Sequence, residues 1–481
     1  MQFKGRTVLA FILLSVFASS LITLTLVDSS ILVQRGHAEQ DRLNAGKLSA
    51  QEMNKMAAAF ELIEQKYVRP IDRKKLVDGA IHGMVSALDD PYSSYMDEQE
   101  AEQFTDNVQG SFTGIGAEVT MVGGRVTVVS PIKGSPAEKA GIHAKDVILS
   151  VNGNKLDGLK LSDALNFIRG PKGTKAKIIV LRQGSTEPTE ITLVRDTIDV
   201  ETVFSEMMDG SIGKIEIRQF SKNTGERFLE DLKSLESKGM KGLIIDVRND
   251  PGGILPVVVQ IAEQFVPKGK TIVQVEDRNK NRKATPSEGS GKNYPVVVLI
   301  NKGSASASEI LAAAVQEAGG GKLMGETSFG KGTVQISYGE EMGDGSILKM
   351  TIAKWLTPKG NWIHEKGIKP DIHVDQPSYF TVSPLSKETT LVEDQTGEDV
   401  KNAQIMLDGL GFKPGRQDGY YSKSTAEAVR VFQETADLPV TGKLDKGTAV
   451  KLEAALIEQI RKPENDKQLS EAVKYLQEQT K

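Results

Sequence analysis

Three short windows carry residue types that could do chemistry. The first is Asn301-Lys-Gly-Ser-Ala-Ser-Ala-Ser-Glu-Ile310, between the apolar run 296–300 and an Ala-rich stretch. A hydroxyl on a tight strand-to-helix turn projects from a sheet edge, where the helix N-terminus favours developing negative charge. Ser306 is therefore a candidate nucleophile. Ser306 with Glu309 three residues on is equally a capping box, which needs no catalysis. The second window, Asp246-Val-Arg-Asn-Asp-Pro-Gly-Gly253, follows another apolar run. Consecutive glycines there let backbone N–H groups approach a ligand as an oxyanion hole requires, or simply make a Pro-Gly turn. The third is Phe329-Gly-Lys-Gly-Thr-Val-Gln-Ile-Ser337. On a strand, Lys331, Thr333 and Gln335 share one face. Lys331 reads as an exposed loop cation or as a buried general base, because desolvation lowers a lysine pKa. No phosphate-loop spacing is present.

Composition narrows the chemistry. The chain has 481 residues, with 60 Lys+Arg against 64 Asp+Glu and a net charge of −4. That length predicts about three domains, and so even a balance gives little counterion-release affinity, so no nucleic-acid partner is expected. The absence of cysteine removes disulfides, thiolate nucleophiles and Cys-ligated metals. The five histidines never pair at metal-ligand spacing, and no metal or cofactor is expected. A serine nucleophile without a suitable histidine needs another base, and a Ser–Lys dyad is one solution.

The elements that must position these windows follow in order. Lys4 and Arg6 precede an uncharged apolar stretch, 7–27, long enough to span a bilayer with the N-terminus cytoplasmic. We expect a signal-anchor within 1–37, a cleaved signal peptide being the competing reading; either places the rest outside the cytoplasm. Residues 38–102 read as a helical segment, since apolar positions in 53–64 recur at three- and four-residue steps. Residues 103–197 hold four short strand patterns and one helix near 161–168, a mostly-β module. Residues 198–375 alternate buried strands with helices, the pattern of an α/β layer structure. Residues 376–398, polar and with Pro377 and Pro384, read as a linker. Residues 399–457 are helical, and 458–481 reads as a charged, exposed helical tail.

Taken together, the three windows closely resemble the carboxy-terminal processing (tail-specific) serine protease family. The resemblance implies Ser306 as nucleophile, Lys331 as its base, Gln335 orienting the lysine, and oxyanion donors at Gly252, Gly253 and Ala307. Asp250 departs from the asparagine that commonly precedes that proline. The segment Gly83-Met-Val-Ser-Ala-Leu-Asp-Asp-Pro-Tyr-Ser-Ser-Tyr95 resembles the family's helical N-terminal segment, and Lys366-Gly-Ile-Lys-Pro-Asp371 the end of its protease core. Gly114-Ile-Gly-Ala-Glu and Ser135-Pro-Ala-Glu-Lys-Ala-Gly resemble a PDZ domain, in which Gly114, Ile115, Gly116 and Ala117 would capture a peptide carboxylate. Leu407-Asp-Gly-Leu-Gly-Phe412, Asp418-Gly-Tyr-Tyr421 and Ala426-Glu-Ala-Val-Arg-Val-Phe-Gln433 are similar to a three-helix peptidoglycan-binding domain.

The expected whole is a multidomain α/β protein. It comprises a membrane anchor, a helical segment, a PDZ domain, a ClpP/crotonase-like serine protease core and a small helical peptidoglycan-binding-like domain. It would be a membrane-anchored, extracytoplasmic endopeptidase that recognises free protein C-termini and is tethered to the cell wall. Arg169, just after the PDZ helix, is a candidate to report peptide occupancy to the protease, or an exposed solubilising charge. A homodimer is a further candidate assembly. A catalytically silent PDZ and wall-binding scaffold is the competing function. A cell-wall hydrolase would want paired carboxylates or a metal, which no window supplies.

Overall fold

The computed structural model describes residues 48–182, 185 and 187–481. The apolar stretch 7–27 lies outside the described residues. No helix among those described is long and apolar enough to cross a membrane. The chain divides after Ala87 into two compact units.

The first unit contributes an αα-hairpin, Ala50–Lys66 and Arg73–Ser86. Ser49 and Glu52 close a reciprocal capping box on the first helix, and Asp72 caps the second. Its apolar side chains are not enclosed: Met53, Met56, Leu62, Ile63 and Met84 are exposed.

The second unit is built around a six-stranded sheet. In spatial order its strands are Val203–Met208, Ile212–Ile217, Gly242–Asp246, Val296–Ile300, Lys322–Gly325 and Ile372–His373. The first pair is antiparallel and the remaining four pairings are parallel. Every residue of Gly242–Asp246 and Val296–Ile300 is buried, which explains their continuous apolar sequence. Alternation then divides them between two cores. Leu243, Ile245, Val296, Val298 and Ile300 pack with Phe228, Leu232, Val258, Ile261 and Leu311 of the crossover helices. Ile244, Val297 and Leu299 face the other way, onto Leu469, Ala472 and Leu476 of the helix Lys467–Gln479.

That helix corrects the reading of an exposed tail. Seven of its thirteen residues are Lys, Glu or Gln, but Leu469, Ala472 and Leu476 form a helical stripe that covers one face of the six-stranded sheet. Residues 376–398 also differ from a free linker. Leu385 is buried, and Tyr379, Val382 and Leu391 pack on the core of the three helices Glu398–Gly409, Lys423–Thr435 and Lys446–Ile460. Two buried glutamines organise the loops of this bundle. Gln404 binds the Tyr420 carbonyl and the Gly419 N–H, while Gln433 binds Lys443, Thr441 and Gly442.

A five-stranded sheet flanks the six-stranded one. Its central strand Ile347–Leu356 pairs with Ser94–Met96, Thr271–Asp277 and Thr333–Tyr338. The mostly-β module is a sheet in the order Ala117–Val122, Arg125–Pro131, Val147–Val151, Lys175–Leu181, Thr189–Val194, around Val126, Ile148, Ile178 and Val180. Ser111–Gly114 pairs with Asp196–Asp199 and so brings the module's entry and exit together. Buried Arg195 donates to the carbonyls of Phe167, Ile168 and Lys175, satisfying the end of the helix Leu161–Ile168.

Candidate active site

Ser306 sits where the buried strand Val296–Ile300 turns into the helix Ala307–Ala314. Its backbone is held at φ 54° and ψ −111°, a region that a non-glycine residue occupies only when its surroundings enforce it. The enforcing contacts are on both sides of the turn. Ala305 N–H and Ser308 Oγ donate to the Asp250 carbonyl at 3.0 and 2.9 Å. Ser304 Oγ donates to the Val247 carbonyl at 2.7 Å, and Asn301 and Asn249 bind one another. The Ser306 turn is thus tied to the 247–253 segment.

Glu309 adds a second tie. Buried in the helix Ala307–Ala314, it accepts from Ser306 N–H at 2.9 Å, Ser328 Oγ at 2.6 Å, Gly330 N–H at 2.7 Å and Lys331 N–H at 2.8 Å. The sequence reading gave Glu309 only a capping role. The structure makes it a bridge between the serine turn and the lysine loop. A lone charge in an Ala-rich helix, Ala-Ser-Glu-Ile-Leu-Ala-Ala-Ala, was the available signal.

Ser306, Lys331, Gln335, Gly252, Gly253 and Ala307 line a single cleft of about 640 Å³, whose walls include Phe220, Ile254, Leu255, Ile310 and Trp355. Burial pushes the Lys331 amine below the ordinary lysine value, and the cation of Lys349 pushes it further the same way. Trp355 Nε1 donates to the Lys331 carbonyl at 2.7 Å and fixes the loop. The Gln335 amide nitrogen donates to Thr333 Oγ1 at 2.9 Å and Thr351 Oγ1 at 3.0 Å. A neutral amide is thereby oriented in the cleft without adding a charge that would hold the lysine proton.

The expected oxyanion donors divide. Gly252 has φ +100°, and a Cβ there would meet Ala305 O at 2.6 Å, Ala307 N at 2.8 Å and Ser306 Cβ at 2.9 Å, so only glycine permits the close approach. Its N–H, however, donates to Asp250 Oδ1 at 2.8 Å, which removes it from the set of free donors. Gly253 lies in a bridge with Phe220 that uses the Gly252 carbonyl and the Ile254 N–H. The N–H groups of Gly253 and Ala307 have no acceptor among the described residues. Ala307 is the first residue of its helix, where an unpaired N–H and the helix dipole both favour an anion.

Sequence reasoning did not find Lys349. It lies on the strand paired with Thr333–Tyr338, so only the pairing register brings it to the cleft. Lys349→Met should let the Lys331 pKa rise, because a neighbouring cation disfavours the charged lysine. The ascending limb of the pH–rate profile then moves to higher pH and activity at pH 7 falls. An unmoved limb would show that Lys349 has no influence on Lys331.

In the mostly-β module, Gly114, Ile115, Gly116 and Ala117 border a small pocket of about 110 Å³ with Val119, Leu165, Ile168 and Arg169. Ala117–Val122 is an edge strand of its sheet, the geometry that accepts a peptide as an added strand. Arg169 is not a free surface charge. Its guanidinium lies 5.3 Å from the Phe112 ring centroid, and Nη1 is 3.6 Å from Asp106 Oδ2. Asp106 belongs to the helix Glu98–Gln109, whose Phe104, Asn107 and Val108 line the Ser306 cleft.

Comparison with known proteins agrees with this geometry. A model of peptidase family S41 matches 211–374, and a PDZ domain model matches 113–193. A peptidoglycan binding domain model matches 396–452, and one for the N-terminal domain of the activating protease CtpB matches 18–100. The carboxy-terminal processing protease CtpA of Bacillus subtilis is 42% identical over 99% of this chain and 100% of its own length. The chain belongs to the carboxy-terminal processing protease family. Carboxy-terminal processing protease CtpB of the same organism is 47% identical over 88% of this chain and 89% of its own. This family member is therefore a serine protease with a PDZ domain and a peptidoglycan-binding domain.

Proposed function

We propose that the chain is an endopeptidase in which neutral Lys331 takes the proton from Ser306 Oγ as it attacks the scissile carbonyl. The N–H groups of Gly253 and Ala307 receive the oxyanion, and Lys331 then gives its proton to the leaving amine. Water repeats the sequence on the acyl-enzyme. The observation that carries this reading is the convergence of Ser306 and a lysine of depressed pKa on one cleft, with two unpaired N–H groups beside them. An intact constellation of this kind argues against the silent scaffold.

The PDZ pocket would hold the substrate's C-terminal carboxylate, and Arg169 would report its presence through Asp106 to the helix that walls the cleft. Long peptides with a free C-terminus should be cleaved faster than their amides. Arg169→Ala should narrow that difference while leaving thermal stability almost unchanged, since a part-exposed ion pair contributes about 0–1 kcal/mol. Equal rates for acid and amide with the unaltered chain would remove the PDZ domain from substrate selection.

Three further features fit an enzyme of the cell envelope. The apolar stretch 7–27 would anchor the chain in the membrane, and the peptidoglycan-binding domain would tether it to the wall. The helical hairpin lines an open apolar groove of about 900 Å³ with Met53, Met56, Phe60, Ile63, Leu76 and Met84, suited to a second copy of the chain. Full-length Ser306→Ala should resist carbonate extraction from membranes, pellet with purified peptidoglycan and sediment as a dimer in detergent. A chain that washes off, stays in the supernatant or sediments as a monomer removes the corresponding feature.

A further inference from the structure

Asp250 is fully buried at the start of the Pro-Gly-Gly turn. It is joined to both halves of the site. Its carbonyl accepts from Ala305 and Ser308 on either side of Ser306, and its Oδ1 accepts from the Gly252 N–H. Its Oδ2 has no hydrogen-bond partner among the described residues and is out of contact with water. A carboxylate needs partners for both oxygens, and none is supplied to the second.

We propose that Asp250 is a positioning residue that acts as a neutral carboxylic acid, holding the 251–253 turn so that the Gly253 N–H stays turned to the oxyanion, and that its ionisation disorders that turn. This rests on the Ser306–Lys331 reading of the cleft. Burial pushes the Asp250 carboxyl up to about 8; the hydrogen bond from Gly252 and the nearby Ser308 hydroxyl, which itself donates to the Asp250 backbone carbonyl, oppose this without offsetting it. Charged groups on the surrounding elements do not set this value. Arg248 is neutralised by Asp246 at the end of the preceding strand and by Asp466 ahead of the helix Lys467–Gln479. Glu309 is held by four donors, and Lys331 sits across the cleft. None of these charges contributes to the shift. Below about pH 8 the acid is neutral and the turn is held; above it the lone Oδ2 carries charge with nothing to receive it.

The test is the pH dependence of kcat/KM for the unaltered chain and for Asp250→Asn, which keeps the shape and cannot ionise. The ratio of unaltered to variant activity should fall roughly tenfold between pH 7 and pH 9, as a group of pKa about 8 loses its proton. A flat ratio overturns the proposal. Thermal unfolding in the Ser306→Ala background gives a readout independent of catalysis. A pKa raised on folding means that stability falls as pH rises from the unfolded carboxyl value through the folded one. The melting temperature of Ser306→Ala should therefore drop between pH 5 and pH 9 relative to Ser306→Ala/Asp250→Asn. Parallel melting curves overturn the buried-acid assignment. Activity that survives Ser306→Ala overturns the dyad instead, so the two failures are separable.

Discussion

Lys331→Arg is expected to be as inactive as Lys331→Ala, with kcat lower by about 10²–10⁴-fold, the range for loss of a general base. Arginine matches the charge and much of the length of lysine but stays protonated at any pH the fold tolerates. The cleft lowers the Lys331 pKa by burial and by the cation of Lys349, and both act only on a group that can lose its proton. An arginine there would be a permanent cation beside Lys349. For the same reason, unaltered activity must first rise with pH as Lys331 becomes neutral. Gln335→Ala should lose less, because Gln335 orients an amine and carries no proton in the reaction. Correct folding of each variant would be checked by its melting temperature. Substantial hydrolysis by folded Lys331→Arg would return the lysine to the role of a loop cation.

Removal of residues 467–481 should disable the protease core, although these residues follow the peptidoglycan-binding domain in sequence. Their helix buries Leu469, Ala472 and Leu476 against Ile212, Ile244, Val297, Leu299 and Met324. Without it, an apolar sheet face lies open to water, which favours aggregation. The helix entry also matters to the site. Asp466 Oδ1 and Oδ2 accept from Arg248 at 2.9 and 2.7 Å, and Arg248 stands just ahead of the 249–253 turn. The single change Leu476→Ala, at a position with no exposure, should destabilise by about 2–5 kcal/mol. Thermal unfolding and dye binding to exposed apolar surface would read both variants. A truncated protein with unchanged melting temperature and activity would show that the helix is dispensable. Wall binding is therefore better tested with the full chain than by cutting at residue 399.

The difference between these two predictions follows what could be read from sequence. Ser306, Lys331 and the two glycines stand in short windows whose residue types have few other uses together. The buried strands Gly242–Asp246 and Val296–Ile300 were legible because both faces are covered, which forces continuous apolar runs. The second covering layer was less so. Lys467, Glu471, Lys474 and Glu478 gave the last helix a solvated look, although Leu469, Ala472 and Leu476 already had the three- and four-residue spacing of a buried stripe. Tyr379, Val382, Leu385 and Leu391 belong to no period, so their packing on the C-terminal bundle left no pattern to find. Lys349 depends on strand register. Asp250 was visible as an unusual residue, but its consequence depends on an enclosure that only the fold defines.

The central claim is that Ser306 is the nucleophile of a peptidase. Its most direct test is hydrolysis of a long peptide with a free C-terminus by the full-length chain and by Ser306→Ala, compared at the pH of maximal activity. The account predicts a fall in kcat on the order of 10⁴–10⁶-fold, the scale seen when a serine nucleophile is removed, with an unchanged melting temperature. Cleavage by folded Ser306→Ala at a rate near that of the unaltered chain would contradict it.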